Sequence, residues 1–344
     1  MACLTSRSRK RNNRRGLDAP ANALILTGVN AAGPSTAQID ALRKGAALVD
    51  RSYLGRLALS GSQAAEALGA LTTNDIEALS PGTGCFAACC TAKGRMIGEL
   101  RVLNTGPELF LDTERVSLQA VFDLVRHGLV GYEAELHKRT LETAELSLLG
   151  PASREVAGAC GLGPSECDNA PGAVAGAEVL MVATDLGVDI VCAAGDRDAV
   201  FGQLEAAGAV PAAEPLAELA RVESGRPRYG VDLDESVIPQ EAGLNERLVS
   251  FEKGCYVGQE TIARLHYRGR PNRRLCRLSL SGPAEPGAGL LLGDRPVGTL
   301  TSVAESPELG AIGLALVRRE APDDAKLAID GTASEAEILG PGGG

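Results

Sequence analysis

The sequence predicts an α+β protein, with two antiparallel α+β lobes followed by a small C-terminal β-barrel. Strand-like and helix-like segments follow a β–α–β–β–α order between residues 46 and 128, and a similar order recurs between about 136 and 208. From residue 271 the chain changes to short apolar strands parted by Gly, Pro and Asp turns, as in a small barrel. A length of 344 residues exceeds what one core ordinarily serves, in keeping with several lobes.

Residues 46–60, AALVDRSYLGRLALS, alternate as a strand pair would, and Gly61 followed by QAAEALGAL reads as a turn and an amphipathic helix. TNDIEALSPGTG forms a polar loop ahead of the strands of 85–111. Ser117 opens a helix to about Gly128, with apolar residues at 118, 121, 122, 125 and 129 on one face. In the second lobe LHKRTLETAELSLLG becomes strand-like toward its end, and ASREVAGACG after Pro151 reads as a helix. VLMVAT and GVDIVCAAG then pair, and RDAVFGQLEAAGA forms a further helix. The expected boundaries are a basic disordered tail at 1–20, lobes over 21–270 divided near 135–150, a barrel at 271–338 and a disordered Gly-rich tail at 339–344.

Hydrophobic residues make up 44% and charged residues 23%, an ordinary globular composition. No apolar run approaches the roughly 18 residues that span a bilayer, so no membrane partner is expected. The net charge of −10 is uneven: Arg7, Arg9, Lys10, Arg11, Arg14 and Arg15 stand without an acid among residues 1–15, leaving the remainder near −16. Such an acidic body argues against general affinity for nucleic acid, which needs Lys and Arg gathered on the contacting face. The basic head reads as a plain tail, with an over-long translation start or an organelle-targeting segment as alternatives. A cytoplasmic protein is expected, with the mitochondrial matrix as the alternative.

Nine cysteines without a secretory signal point to free thiols in a reducing compartment, and no CxxC pair is present. Cys85, Cys89 and Cys90 fall in an apolar stretch where cysteine acts as a small core hydrophobe. His127 and His137 are too far apart for a metal site, and neither a dinucleotide fingerprint nor a GxxxxGK[ST] loop occurs.

Residues 221–274 carry the most chemistry. Gly254 and Gly258 bracket Cys255, Tyr256 and Val257, and Gln259 onward supports a helix with Ile262 and Leu265 on one side. Cys255 would then lie at or just before a helix N-terminus and close to Lys253, and both features favour a thiolate. The competing reading is a buried structural cysteine between two glycines.

The segment K-G-C-Y-V-G-Q-E at 253–260 resembles the hallmark of the YgfZ family, and RYGVDLDE, IPQEAGL and ARLHYRGRPNR resemble its flanks. LVDRSYLGRLALSG, LTTNDIEAL and AKGRMIGELRV are similar to the N-terminal half of that family and of the glycine-cleavage T protein, a folate-dependent aminomethyltransferase. The resemblance covers roughly residues 46 to 280. It implies a GcvT-like aminomethyltransferase fold around a central channel holding tetrahydrofolate or a derivative, and a role in iron–sulfur cluster assembly or repair. It also implies that Phe86 and Glu99 border the folate, with Gly98 standing where the T protein has the first acid of an Asp-Asp pair. Arg221, beside Glu223, matches an arginine suited to the folate glutamate carboxylate. Asn74 and Asp75 would border the channel; their other reading is a loop bonded to its own backbone.

Three functions follow. The first is a folate-binding accessory protein for iron–sulfur clients or assembly proteins, with Cys255 as functional thiol, Lys253 as its activator, and Cys255 a transient cluster ligand rather than part of a resident metal site. The second is a folate-dependent aminomethyltransferase or related one-carbon enzyme. The third is an RNA-directed role in tRNA modification through Arg264, Arg268, Arg270, Arg273 and Arg274 with His266 and Tyr267, whose alternative is a solvated linker.

Overall fold

The computed structural model describes residues 33–343; the basic head and Cys3 lie outside them. Along the chain come α1 (Thr36–Lys44), β1 (Ala47–Asp50), β2 (Gly55–Ser60), α2 (Ala64–Leu71), β3 (Gly84–Cys90), β4 (Met96–Asn104), β5 (Leu109–Thr113) and α3 (Leu118–Gly128). Next are β6 (Glu135–Lys138), β7 (Thr143–Leu149), α4 (Ser153–Val156), β8 (Asn169–Val174), β9 (Ala177–Ala183), β10 (Gly187–Ala193), α5 (Arg197–Ala206), β11 (Val210–Ala212) and α6 (Glu214–Ser224). The last third holds α7 (Asn245–Leu248), α8 (Gln259–Arg268), β12 (Arg273–Leu280), β13 (Gly289–Leu292), β14 (Arg295–Ser306), β15 (Gly310–Arg318), β16 (Lys326–Ile329) and β17 (Glu335–Pro341).

These strands make a five-stranded sheet, β3-β4-β5-β2-β6, a six-stranded sheet, β11-β1-β7-β10-β9-β8, and a closed barrel, β12-β15-β14-β13-β16-β17. In the first sheet the residues of one face, including Leu57, Leu59, Leu100 and Val102, pack with Leu68 of α2 and Val121 and Val125 of α3. In the second, Leu146, Leu148, Val188 and Ile190 pack with Val200 and Leu204 of α5. Each such side chain removed from water contributes roughly 1.5–3 kcal/mol, so these two cores hold the lobes. The opposite faces of the two sheets are left for the functional site. Among the described residues no helix is long and apolar enough to cross a membrane.

The structure departs from the sequence reading in four places. Strands do form within 46–60 but do not pair with each other: β1 joins β7 and β11, whereas β2 joins β5 and β6. The helix expected after Pro151 is the single turn α4, because Gly158 turns left-handed (φ +66) shortly after it. The chain also forms α1, whose Ser35 and Gln38 close a capping box: Ser35 Oγ accepts from the Gln38 N–H at 3.3 Å and Gln38 Oε1 from the Ser35 N–H at 2.9 Å. The described part of the Gly-rich end is packed, not disordered: Leu339 to Pro341 belong to β17, and the Gly342 and Gly343 N–H groups donate to the Leu275 and Gly225 carbonyls, while Gly344 lies outside the described residues. A Cβ at Gly342 would lie 2.8 Å from the Leu275 side chain, so glycine is needed there for close approach.

Candidate functional site

The β4 alternation aims Leu100 and Val102 into the core and Glu99 and Arg101 the other way. Register sets Phe86 of β3 and Asp112 of β5 on either side of Arg101, so the three form a row across one face. From the second sheet, Glu145 and Ser147 of β7 and Asp189 of β10 face them. Between these faces lies a cavity of about 190 Å³, closed by Glu218 and Arg221 of α6, by residues 226–229 and by Arg247.

Arg101 staples the two sheets. Its Nε donates to Asp112 at 2.7 Å, Nη1 to Asp189 at 2.5 Å and Nη2 to Glu145 at 3.0 Å. Ser147 donates to the other Asp189 oxygen at 2.6 Å. Below them Arg56, wholly buried, donates to the carbonyls of Ser52, Thr140 and Thr143. Its Nη1 stands 3.8 Å from Glu145 Oε2, and both atoms lack a hydrogen bond. Burial, reinforced by neighbouring Asp112, pushes the Glu145 carboxyl up to about 8. On the facing wall Arg228 reaches Glu114 at 2.9 Å, Glu218 at 2.9 Å and Tyr53 Oη at 2.8 Å.

Glu99 is the exception. Its carboxyl lines the cavity without a hydrogen-bond donor among the described residues, and burial pushes it up to about 7 despite Arg247 and Arg226. Opposite, the Arg247 guanidinium lies 3.7 Å over the Phe86 ring and grips Glu166 through two bonds of 2.6 and 2.8 Å. Gly98 faces the other way: a Cβ there would meet Ser117 Cβ at 2.8 Å and Val121 Cγ2 at 3.0 Å. That residue therefore takes its identity from the packing of α3 on β4.

Of the residues singled out from sequence, Phe86, Glu99 and Arg221 come together at the cavity. Arg221, however, does not offer a free fork. It donates to Glu218 (3.2 and 2.9 Å), Asp232 (2.7 Å), the Arg226 carbonyl (2.5 Å) and Ser302 of the barrel (2.7 Å), so it ties α6 to the barrel. Glu223 points away, accepting from Arg43 at 2.5 Å and Ser306 at 2.6 Å. Asn74 donates to the carbonyls of Phe86 (2.8 Å) and Arg247 (3.2 Å), supporting the stacked pair from behind, and Asp75 accepts locally from the Ala78 N–H. Sequence reasoning missed Arg101, Glu145, Asp112, Asp189, Arg228 and Arg247. For the strand residues the legible signal was a lone charge or an alternating pair of charges within an apolar strand: GELRVL, TAELSLL, LFLDT and GVDIV.

Cys255 is exposed, which excludes the buried structural reading. The expected activators are elsewhere. Lys253 Nζ donates to the carbonyls of Gly69 (2.5 Å), Thr72 (2.9 Å) and Asn74 (2.8 Å), capping the end of α2. Helix α8 begins at Gln259, as expected, four residues past Cys255 and behind a left-handed Gly258 (φ +89) whose Cβ would sit 2.5 Å from the Thr91 carbonyl oxygen. Gly254 has open space and no such constraint. Cys89 and Cys90 are core residues, as expected, and Cys85 is partly covered.

Comparison with known proteins fits this architecture. The GCVT N-terminal domain family matches residues 30–253, and the CAF17 C-terminal β-barrel domain family matches 272–339. The chain belongs to the GcvT family. Its GcvT relatives include the aminomethyltransferase of Streptomyces coelicolor, 31% identical over 290 residues, covering 78% of this chain and 77% of that protein. A putative chloroplastic transferase of Arabidopsis thaliana is 29% identical over 296 residues, covering 82% of this chain and 68% of that protein. The GcvT fold itself is seen in the solved aminomethyltransferase T of the Bartonella henselae glycine cleavage system: TM-score 0.76 at 19% identity, over 86% of each chain.

Proposed function

We propose that this GcvT-family chain binds a reduced folate in the cavity between its sheets and acts as an accessory protein in iron–sulfur cluster assembly or repair through Cys255. The carrying observation is the Glu99 carboxyl, which lacks a donor in a cavity whose other charged lining residues each make at least one ion pair. Such a group calls for a ligand with N–H donors. The lining fits a reduced folate: the Glu99 carboxyl can accept from a pterin beside the Phe86 ring. Arg226 faces the same space with only its Nη1 engaged, by Asp185 at 2.5 Å and Glu166 at 3.2 Å, and is better placed than Arg221 for the glutamate carboxylate. When bound, the folate supplies a carrier for one-carbon units.

The iron–sulfur part rests on the resemblance of residues 253–260 and on the exposure of Cys255. A single thiolate cannot hold a cluster, so Cys255 would contribute one ligand or one exchange step in company with a partner protein. Cys255→Ala should abolish rescue of cluster-enzyme activity in cells lacking the native protein while leaving calorimetric tetrahydrofolate binding intact. Full rescue by the alanine variant would overturn the thiol role, and absent folate binding by the unmodified protein would overturn the cavity role.

A second reading has its own observation. A carboxyl near neutrality is suited to moving a proton, which favours an aminomethyltransferase or related one-carbon enzyme. Formation of methylenetetrahydrofolate from an aminomethyl donor by pure protein, lost in Glu99→Gln, would establish it.

A further inference from the structure

On the surface beside the barrel, the stretch from His266 to Arg270 is exposed throughout. Phe251 and His266 stack at 3.7 Å with 17° between their planes, and Tyr267 meets the His266 ring edge-on at 4.8 Å. Tyr267 is 68% exposed, an aromatic surface held in place by two neighbours but left open. Arg264, Arg268 and Arg270 flank it along the chain, and none forms an ion pair with a described residue, whereas arginines elsewhere in the molecule are mostly fastened to acids.

Three residues past Tyr267, Arg270 also lines a separate groove of about 340 Å³ between the end of α8 and the barrel, with Arg273, Arg274 and Arg319. Arg319 has no ion-pair partner among the described residues; Arg273 is held by Glu241 at 2.9 Å. The acid of the groove, Asp323, pairs with Arg274 at 2.6 Å but is 91% exposed, and such a pair holds weakly against a competing anion. An open aromatic ring adjoining a groove of guanidinium groups matches a ligand that alternates flat bases with phosphates. Carboxylates of a peptide would satisfy the arginines but leave the ring without a role.

We infer that the exposed half of α8 and the arginine groove beside it bind a single strand of nucleic acid, with phosphates in the groove and a base against Tyr267. This site is separate from the folate cavity and does not depend on it. The chain's acidic body keeps the contact confined to this strip, so binding is salt-sensitive and of modest strength.

The test is fluorescence anisotropy with a labelled single-stranded RNA of about 12 nucleotides, a length within the range that such surfaces cover. Affinity should fall with salt at a logarithmic slope of about −3, as expected for four arginines that each neutralise one phosphate. Replacing Arg264, Arg268, Arg270 and Arg319 together with alanine should flatten that slope and remove binding. Tyr267→Ala should weaken binding by about fivefold or more, the size of a lost base stack. Thermal melting should be unchanged in both variants, because the altered side chains are exposed. No binding at low salt, binding indifferent to Tyr267→Ala, or displacement of the RNA by polyglutamate or tripolyphosphate at equal charge would overturn the inference.

Discussion

Around the cavity the charged side chains are fastened to one another and buried, as Arg101 is to Asp112, Glu145 and Asp189. At residues 255–270 the side chains able to react or bind stand in solvent: Cys255, Tyr267, Arg268 and Arg270 have no such partners among the described residues. The first arrangement holds two sheets together and leaves one carboxyl, Glu99, for a ligand. The second contributes little to stability and leaves its groups free for other molecules. Substitutions in the two regions should accordingly behave in opposite ways: in the first they change the fold and its pH response, in the second only encounters with partners.

The largest effect belongs to Arg101→Met. It removes the staple and strands three buried acids, for an expected loss of about 3–5 kcal/mol, read by urea unfolding. A loss under about 1 kcal/mol would mean that the sheets are held without it.

Glu99→Gln comes next and separates pH from mean stability. The folded carboxyl lies near 7, above its ordinary value of 4.5, so the native state favours the protonated form. Its stabilising contribution is fully present below about pH 4.5 and is lost as pH rises through 7. Relative to Glu99→Gln, the parent protein should therefore lose up to about 3 kcal/mol over that window, less whatever cavity water restores. Parallel curves for the two proteins would mean that Glu99 is ionised like a surface acid.

Lys253→Met should cost about 2 kcal/mol, because three carbonyls at the end of α2 lose their charged donor. In the same variant the alkylation rate of Cys255, followed by mass spectrometry of its peptide, should stay within about twofold, since the ammonium is engaged elsewhere. A large fall in that rate would restore Lys253 as the activator. Smallest of all, Cys255→Ser should shift stability by no more than about 0.5 kcal/mol, as expected of an exposed side chain.

The same contrast explains what could be read from the sequence. The barrel and the two lobes were legible because strand alternation is local, whereas Phe86 and Glu99 were reached only through the resemblance of their segments to the glycine-cleavage T protein. Cys255 was conspicuous because K-G-C-Y-V-G-Q-E is contiguous, yet its setting was misread: the lysine two residues away reaches over to α2, and only Gly258 is required by backbone geometry. The staple was hidden because its members sit 11, 44 and 88 residues apart and meet only through sheet register. Arg221 and Glu223 adjoin in sequence but lie on different sides of α6, so one meets Asp232 and Ser302 and the other meets Arg43. The glycine-rich end looked like a tail because composition cannot show that Leu275 and Ala242 press against it.

Titration calorimetry of tetrahydrofolate against the parent protein and Glu99→Gln, between about pH 5.5 and 8.5, bears most directly on the assignment of the cavity. Binding by the parent protein should change in strength through an inflection near 7, where the free carboxyl titrates, and Glu99→Gln should bind more weakly without that inflection. Equal affinities and equal pH profiles for the two proteins, or no binding by either, would contradict it.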